Sequence, residues 1–197
     1  MFKIFLTPII IVVLVAGGYY TVYKKKSKPT DNNDQPTVST KTYKSDTRNF
    51  EFKYPNTFQF TAVTYANLDE KLVGLTLPQS AYPKTNFGDA AFYVSALTTK
   101  NINECLNIDL PENSRGFNTT KTINGATYYQ NTGTGAAAGN LYESRYYRTF
   151  YNHACFEIGQ TIHTTNIGNY ATGAVAEVDK EPIWAQLDEI LNSFKFK

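Results

Sequence analysis

The residues with the most chemical potential are the two cysteines, Cys105 and Cys155, in a chain of 197 residues with only two histidines. An even pair in a domain outside the cytoplasm reads most simply as a disulfide, closing a loop of about 50 residues. Two reduced buried thiols, a reactive thiol or a metal ligand are the other readings. His153 stands two residues before Cys155, so both point the same way on a regular strand, the minimum for a thiol–imidazole pair. No Asn or Asp can be placed to orient that histidine, and the turn expected around Asn152-His153 takes it off the strand. Two histidines and two cysteines without a ligand spacing of known type give no expected metal site. No cofactor is expected either.

Two further groups invite a functional reading. The run from Gly133 to Gly139 resembles a phosphate loop in composition. A phosphate cradle needs a helix to start directly after it, whereas this run leads into a segment rich in Tyr and Arg. It therefore reads as a long flexible hairpin loop. The segment that follows holds Tyr142, Arg145, Tyr147 and Arg148. Tyr and Arg dominate recognition surfaces, so these four are the candidate surface for a protein or glycan partner.

The elements that must position these residues are mostly strands. Phe50, Phe52 and Tyr54 alternate up to Pro55, and strands are expected at 58–64, 72–77 and 90–98. Asn124-Gly125 between 119–123 and 126–130 is a strong signal for a tight hairpin. Two longer strands follow near 141–151 and 154–164. On the second of these, Ala154, Phe156, Ile158 and Ile162 share one face, and Cys155, Glu157, Thr161 and His163 share the other. The chain then predicts a closing helix, capped by Asp179 with Pro182 in its first turn. Ile183, Trp184, Leu187, Ile190, Leu191 and Phe194 recur at helical spacing, with Trp184 and Leu187 as anchors against one sheet face. A short helix at 102–106 is expected to carry Cys105 across the opposite face. The fold class is α+β: a mostly antiparallel sheet of about six or seven strands packed by a C-terminal amphipathic helix, in an α/β/α sandwich.

The N-terminal region is unlike the rest. Residues 4–23 carry no charge and are dense in Ile, Val and Leu, about 30 Å of helix and the thickness of a bilayer core. The expectation is an uncleaved membrane anchor over 1–28, a polar flexible linker over 29–46 and the α+β domain over 47–197. The net charge of +2 is a sum of unlike parts: residues 1–28 hold five lysines and no acid, and the remainder holds 14 basic against 17 acidic residues, a net −3. That acidic body argues against a nucleic-acid partner. The lysines after the span place the domain in the cytoplasm by the positive-inside rule, while the linker composition and the cysteine pair place it outside. The extracytoplasmic orientation is the one adopted.

Both ends of the domain resemble a known family. Phe50-Glu-Phe-Lys-Tyr-Pro55 with Phe58 is similar to the opening of PsbP-like domains, and Ile190-Leu-Asn-Ser-Phe194-Lys is similar to their close, again after an amphipathic helix. The segment around Cys155-Phe-Glu-Ile158 resembles single-pass envelope proteins of bacteria with small genomes. The resemblance implies an antiparallel sheet between helices and a binding or scaffolding role without catalysis, and it carries over no ligand site. The functional expectation is a membrane-anchored extracytoplasmic binding or scaffolding module. The alternatives are a cell-surface enzyme, thiol-dependent or hydrolytic, and a purely structural envelope domain.

Overall fold

A computed structural model describes residues 39–64, 66–108 and 116–197. The expected anchor at 1–28 and the linker up to residue 38 lie outside the described residues. Among the described residues, no helix is long and apolar enough to cross a membrane.

Among the described residues, ten strands form two antiparallel sheets. The smaller sheet has the order β1 (Thr40–Ser45), β2 (Phe50–Pro55), β10 (Lys195–Phe196). The larger has seven strands in the order β3 (Gln59–Thr61), β4 (Glu70–Pro78), β5 (Phe87–Thr98), β9 (Ala154–Thr165), β8 (Asn140–Tyr151), β7 (Ala126–Ala137), β6 (Thr119–Ile123). The described residues also form two α-helices, α1 (Ile102–Asn107) and α2 (Glu181–Ser193). This is the expected α+β architecture with a seven-stranded sheet, except that the Phe50 strand belongs to a second sheet.

The alternation read in the sequence assigns the faces. Leu75, Phe92, Val94, Phe156 and Ile158 point to the front of the large sheet and are buried with α2 and the small sheet over them. Phe50 and Phe52 of β2 stack with Phe194 at 5.0 and 6.3 Å, fastening the small sheet to the end of α2. Trp184 and Leu187 are buried, as their spacing predicts. Leu187→Ala is expected to lower the unfolding free energy by about 2–5 kcal/mol, read as a shifted urea midpoint with an unchanged slope.

Three hairpins turn on two residues with positive φ: Asn124-Gly125, Ala138-Gly139 and Asn152-His153. Left-handed pairs match the twist of the flanking strands, which is why Asn-Gly signals such a turn. Asn124 has a second task, because its side-chain amide donates to the carbonyls of Asn192 (3.0 Å) and Phe194 (2.7 Å) at the end of α2.

Four expectations are corrected. The linker expected over 29–46 gives way at Thr40, where Thr-Lys-Thr-Tyr-Lys-Ser pairs with β2 residue for residue. An edge strand needs backbone partners rather than aliphatic side chains, and only Tyr43 and Ser45 of this one are withdrawn from solvent. The expected flexible loop from Gly133 to Gly139 is mostly ladder: β7 runs to Ala137 before the two-residue turn, with Gly133 opposite Ser144 and Gly135 opposite Tyr142. The strand expected over 58–64 is only Gln59–Thr61. Asp179 sits one residue early for a cap: its Oδ1 accepts from the Glu181 N–H at 3.1 Å, while Lys180 holds the N-cap.

Candidate functional site on the back face

Among the described residues, the back of the large sheet is covered at one end and open at the other. At the covered end α1 crosses the strands. Asn101 caps it by accepting from the Glu104 N–H at 3.0 Å, and Glu104 in turn accepts from the Lys100 N–H at 2.6 Å. Cys105 on this helix forms a disulfide with Cys155 on β9, Cα to Cα 5.1 Å, inside a small cluster with Leu68. The pair takes Cys155 out of any thiol–imidazole arrangement, and His153 lies exposed in the β8–β9 turn.

Next to the disulfide lies a buried ion pair. Arg148 and Glu157 face each other across β8 and β9, and both side chains are fully buried. Arg148 Nε donates to Glu157 Oε2 at 2.8 Å. Glu157 Oε1 accepts from the Tyr93 hydroxyl and from the Asn67 side-chain amide, each at 2.8 Å. A guanidinium N–H of Arg148 donates to the Cys105 carbonyl at 2.9 Å and another bond reaches the Ile108 carbonyl, so the arginine holds α1 from below. A buried charge pair is tolerated only when its remaining donors and acceptors are met in this way. Burial, and then the charge of Glu157, push the Tyr93 phenol well above its ordinary pKa.

Tyr93 also ends the covered region. Its ring lies on Gly159, where an added Cβ would meet ring carbons at 2.1 Å, so no larger residue fits. Beyond it the ladder sets a row of small side chains across five strands: Thr76, Ala91, Thr161, Ser144 and Gly133 are successive neighbours in register. The Ser144 and Thr161 hydroxyls are 2.9 Å apart on its floor. The next row is tall and polar: Asp89, His163 and Tyr142. His163 Nδ1 lies 2.9 Å from Asp89 Oδ2, its Nε2 lies 2.9 Å from Asn140 Oδ1, and its ring stacks on Tyr142 at 4.7 Å. Gly88 makes room for that ring, since a Cβ there would sit 2.5 Å from Nδ1. A shallow trough of small residues with a polar rim results.

At the β4–β5 end the trough deepens to a pocket of about 250 Å³. The chain at 61–64 forms its wall, Gly74, Thr76 and Ala91 its floor, and Asp89 and Tyr93 its ends. Gly74 lets the wall close in, because a Cβ would lie 2.7 Å from the Thr61 carbonyl. Chemically the pocket offers hydroxyls and one half-exposed carboxylate. Both His163 nitrogens are engaged, by Asp89 and Asn140, so neither is turned to the Ser144 hydroxyl as a general base requires. Among the described residues, no group of three or more His, Cys, Asp or Glu side chains could hold a metal ion.

The four residues expected to form one recognition surface do not share a face. Tyr142 and Arg148 point to the back and Arg145 and Tyr147 to the front, as their opposite parity along β8 dictates. Only Tyr142 borders the trough. Arg148 is fully buried, and Tyr147 is buried in the front core. Arg145 stacks over Trp184 at 3.9 Å and reaches Asp188 at 3.2 Å, which pins α2. The trough itself was missed because its row runs across strands distant in sequence. The parity of Thr161 and His163 opposite the core-facing residues of β9 was the available signal.

Burial of Tyr147, with Asp188 beside it, raises its phenol pKa to about 12, and burial raises that of Tyr128 further. A folded-state pKa above the unfolded value of 10.0 gives stability that is complete below pH 10 and falls as pH rises toward 12. Absorbance at 295 nm is expected to show these tyrosines ionising together with loss of the far-ultraviolet dichroism signal, not before it.

No family model matches the chain, and no curated protein does. Nineteen chains of known structure match. A protein from Bacteroides thetaiotaomicron VPI-5482 is 14% identical over 80% of this chain with a TM-score of 0.47; the chain spans 48% of its length. Cyanobacterial PsbP (CyanoP) from Synechocystis sp. PCC 6803 is 13% identical over 88% of this chain and 99% of its own, with a TM-score of 0.46. LpqN of Mycobacterium tuberculosis, described as involved in cell envelope biogenesis, is 12% identical over 82% and 92%, with a TM-score of 0.47. The chain is similar to each of these at low identity. At these values its architecture rests on its own strand order and register.

Proposed function

We propose that this protein is a membrane-anchored binding module of the cell envelope and that its partner sits in the trough on the back of the large sheet. The observation that carries the reading is the uneven cover of that face. One end is sealed by α1, the disulfide and a saturated ion pair, and the other presents a row of small residues beside Asp89, His163 and Tyr142. A sheet face left open in this way, with a pocket at one end and rigid strands beneath, is suited to holding a ligand. The disulfide supports the extracytoplasmic orientation over the cytoplasmic one, because such bonds persist in oxidising compartments. The apolar stretch at 4–23 supports the anchor.

Photo-crosslinking in native membranes tests this. The full-length chain would carry a photoreactive residue in place of Thr161, on the trough floor, or in place of Glu189, exposed on α2. A discrete adduct from position 161 and none from 189 is the expected result. The same adducts from both positions, or none from 161, would overturn the assignment of the trough. Protease treatment of intact cells reads the orientation separately, since a cytoplasmic domain would be spared until lysis.

A further inference from the structure

The small sheet has two unlike sides. Its inner side is the aromatic layer of Phe50, Phe52 and Tyr54. On its outer side the register sets Lys44 opposite Glu51 and Glu51 opposite Lys195, with Lys53 in the adjoining row opposite Thr42. Glu51 accepts from Lys195 at 3.0 Å and lies 3.4 Å from the Lys197 ammonium, so one carboxylate stands among four lysines. The imbalance extends over the whole sheet. Residues 39–55 and 195–197 hold six basic and two acidic side chains, while the other described residues hold seven basic and eleven acidic. The domain therefore carries a charge of about +4 on this sheet and −4 elsewhere.

That basic side is also where the chain arrives from the lysine-flanked apolar stretch. Only 16 residues separate Tyr23 from Thr40, with an r.m.s. span of about 22 Å when flexible. A domain held so close samples the nearby surface at an effective concentration in the millimolar range, where weak attraction suffices. We propose that the outer side of the small sheet, through Lys44, Lys53, Lys195 and Lys197, docks on anionic phospholipid headgroups of the membrane that holds the anchor. This rests on the anchored reading given above. It orients the domain as well as retaining it, with the acidic remainder turned away from the lipid. Lysine is suited to the task because it pairs with phosphate as a mobile point charge and needs no fixed geometry. The attraction acts only within a Debye length, about 8–10 Å at physiological salt, so the lysines must lie against the headgroups.

The test uses the full chain reconstituted in vesicles of phosphatidylcholine alone or of phosphatidylcholine with phosphatidylglycerol. Acetylation of each lysine is followed by mass spectrometry. Lys44, Lys53 and Lys195 are expected to react about fivefold more slowly in the anionic vesicles, the factor that one lysine's attraction to such a surface carries. Lys84 and Lys100, exposed elsewhere, are expected to react alike in both. The protection should vanish at about 1 M salt, where the Debye length is 3 Å. Flotation of the protein with both vesicle types but equal lysine rates would overturn the docking alone. Failure to float with neutral vesicles would overturn the anchor and the docking together. Lys44→Glu with Lys53→Glu, both exposed and away from the core, should abolish the protection of Lys195 while leaving flotation intact.

Discussion

Glu157→Ala is expected to remove about 3–5 kcal/mol of folding free energy, the loss seen when one partner of a buried ion pair is taken away. The reason lies in what remains. Arg148 would keep a full positive charge with no exposed surface, losing the carboxylate 2.8 Å away. The Tyr93 hydroxyl and the Asn67 amide would lose their acceptor at the same time. Glu157→Gln should cost less, since its carbonyl oxygen still accepts, but the charge goes and the second oxygen becomes an NH2 that faces either the Arg148 Nε–H or the Tyr93 and Asn67 donors. Replacing both partners together, with Arg148→Met and Glu157→Leu, should fall closer to the parent protein, because no uncompensated charge is left behind. Urea unfolding of the three variants decides it. A loss below about 1 kcal/mol for Glu157→Ala would mean that water reaches the pair and that the back face is not sealed there.

Removing the disulfide with Cys105→Ala and Cys155→Ala is expected to cost about 4 kcal/mol, since the bridge closes a loop of 50 residues. Helix α1 should nevertheless stay docked. Arg148 still donates to the carbonyls of Cys105 and Ile108, and Leu68 still packs in the cluster. Hydrogen exchange should then show α1 amides protected in the variant, with lower overall stability. The disulfide and the ion pair share α1, so their removal should not be additive. Glu157→Ala in the cysteine-free background takes the carboxylate from beside the arginine and the bridge from the helix. There α1 exchange is expected to approach that of an unfolded segment while the front core keeps its native signals. If α1 is released by loss of the disulfide alone, the arginine contacts contribute little to its docking.

Much of the domain can be read from local patterns. The alternation of Phe92, Val94 and Ala96, and of Phe156 and Ile158, assigned the core face. The helical spacing of Ile183 to Phe194 found α2 and its anchors, and Asn124-Gly125 found a hairpin. Placing Cys155 on the face away from α2 and Cys105 on an element crossing it gave the disulfide. What stayed hidden depends on partners. Thr40–Ser45 has the composition of a linker, and only the free edge of β2 makes it a strand. Glycine and alanine at 133–137 suggest looseness until Ser144, Tyr142 and Leu141 stand opposite them. Arg148 looks like a surface residue because the carboxylate that allows its burial belongs to another strand. The trough is assembled from five strands, and no stretch of sequence contains more than two of its floor residues.

The polar first strand has a mechanical meaning. Any tension reaching the domain through the residues before Thr40 is felt first by β1, which among the described residues is an outermost strand paired with β2 alone. Thr40 lies at the open end of that hairpin, opposite Pro55. A pull directed away from the sheet would part the six residue pairs one after another, as a zip opens, rather than loading them together. Because four of the six β1 side chains are exposed, detaching the strand uncovers little apolar surface, chiefly around Tyr43. The small sheet thus has an edge link that can give way under load and re-form while Phe50 and Phe52 stay stacked on Phe194.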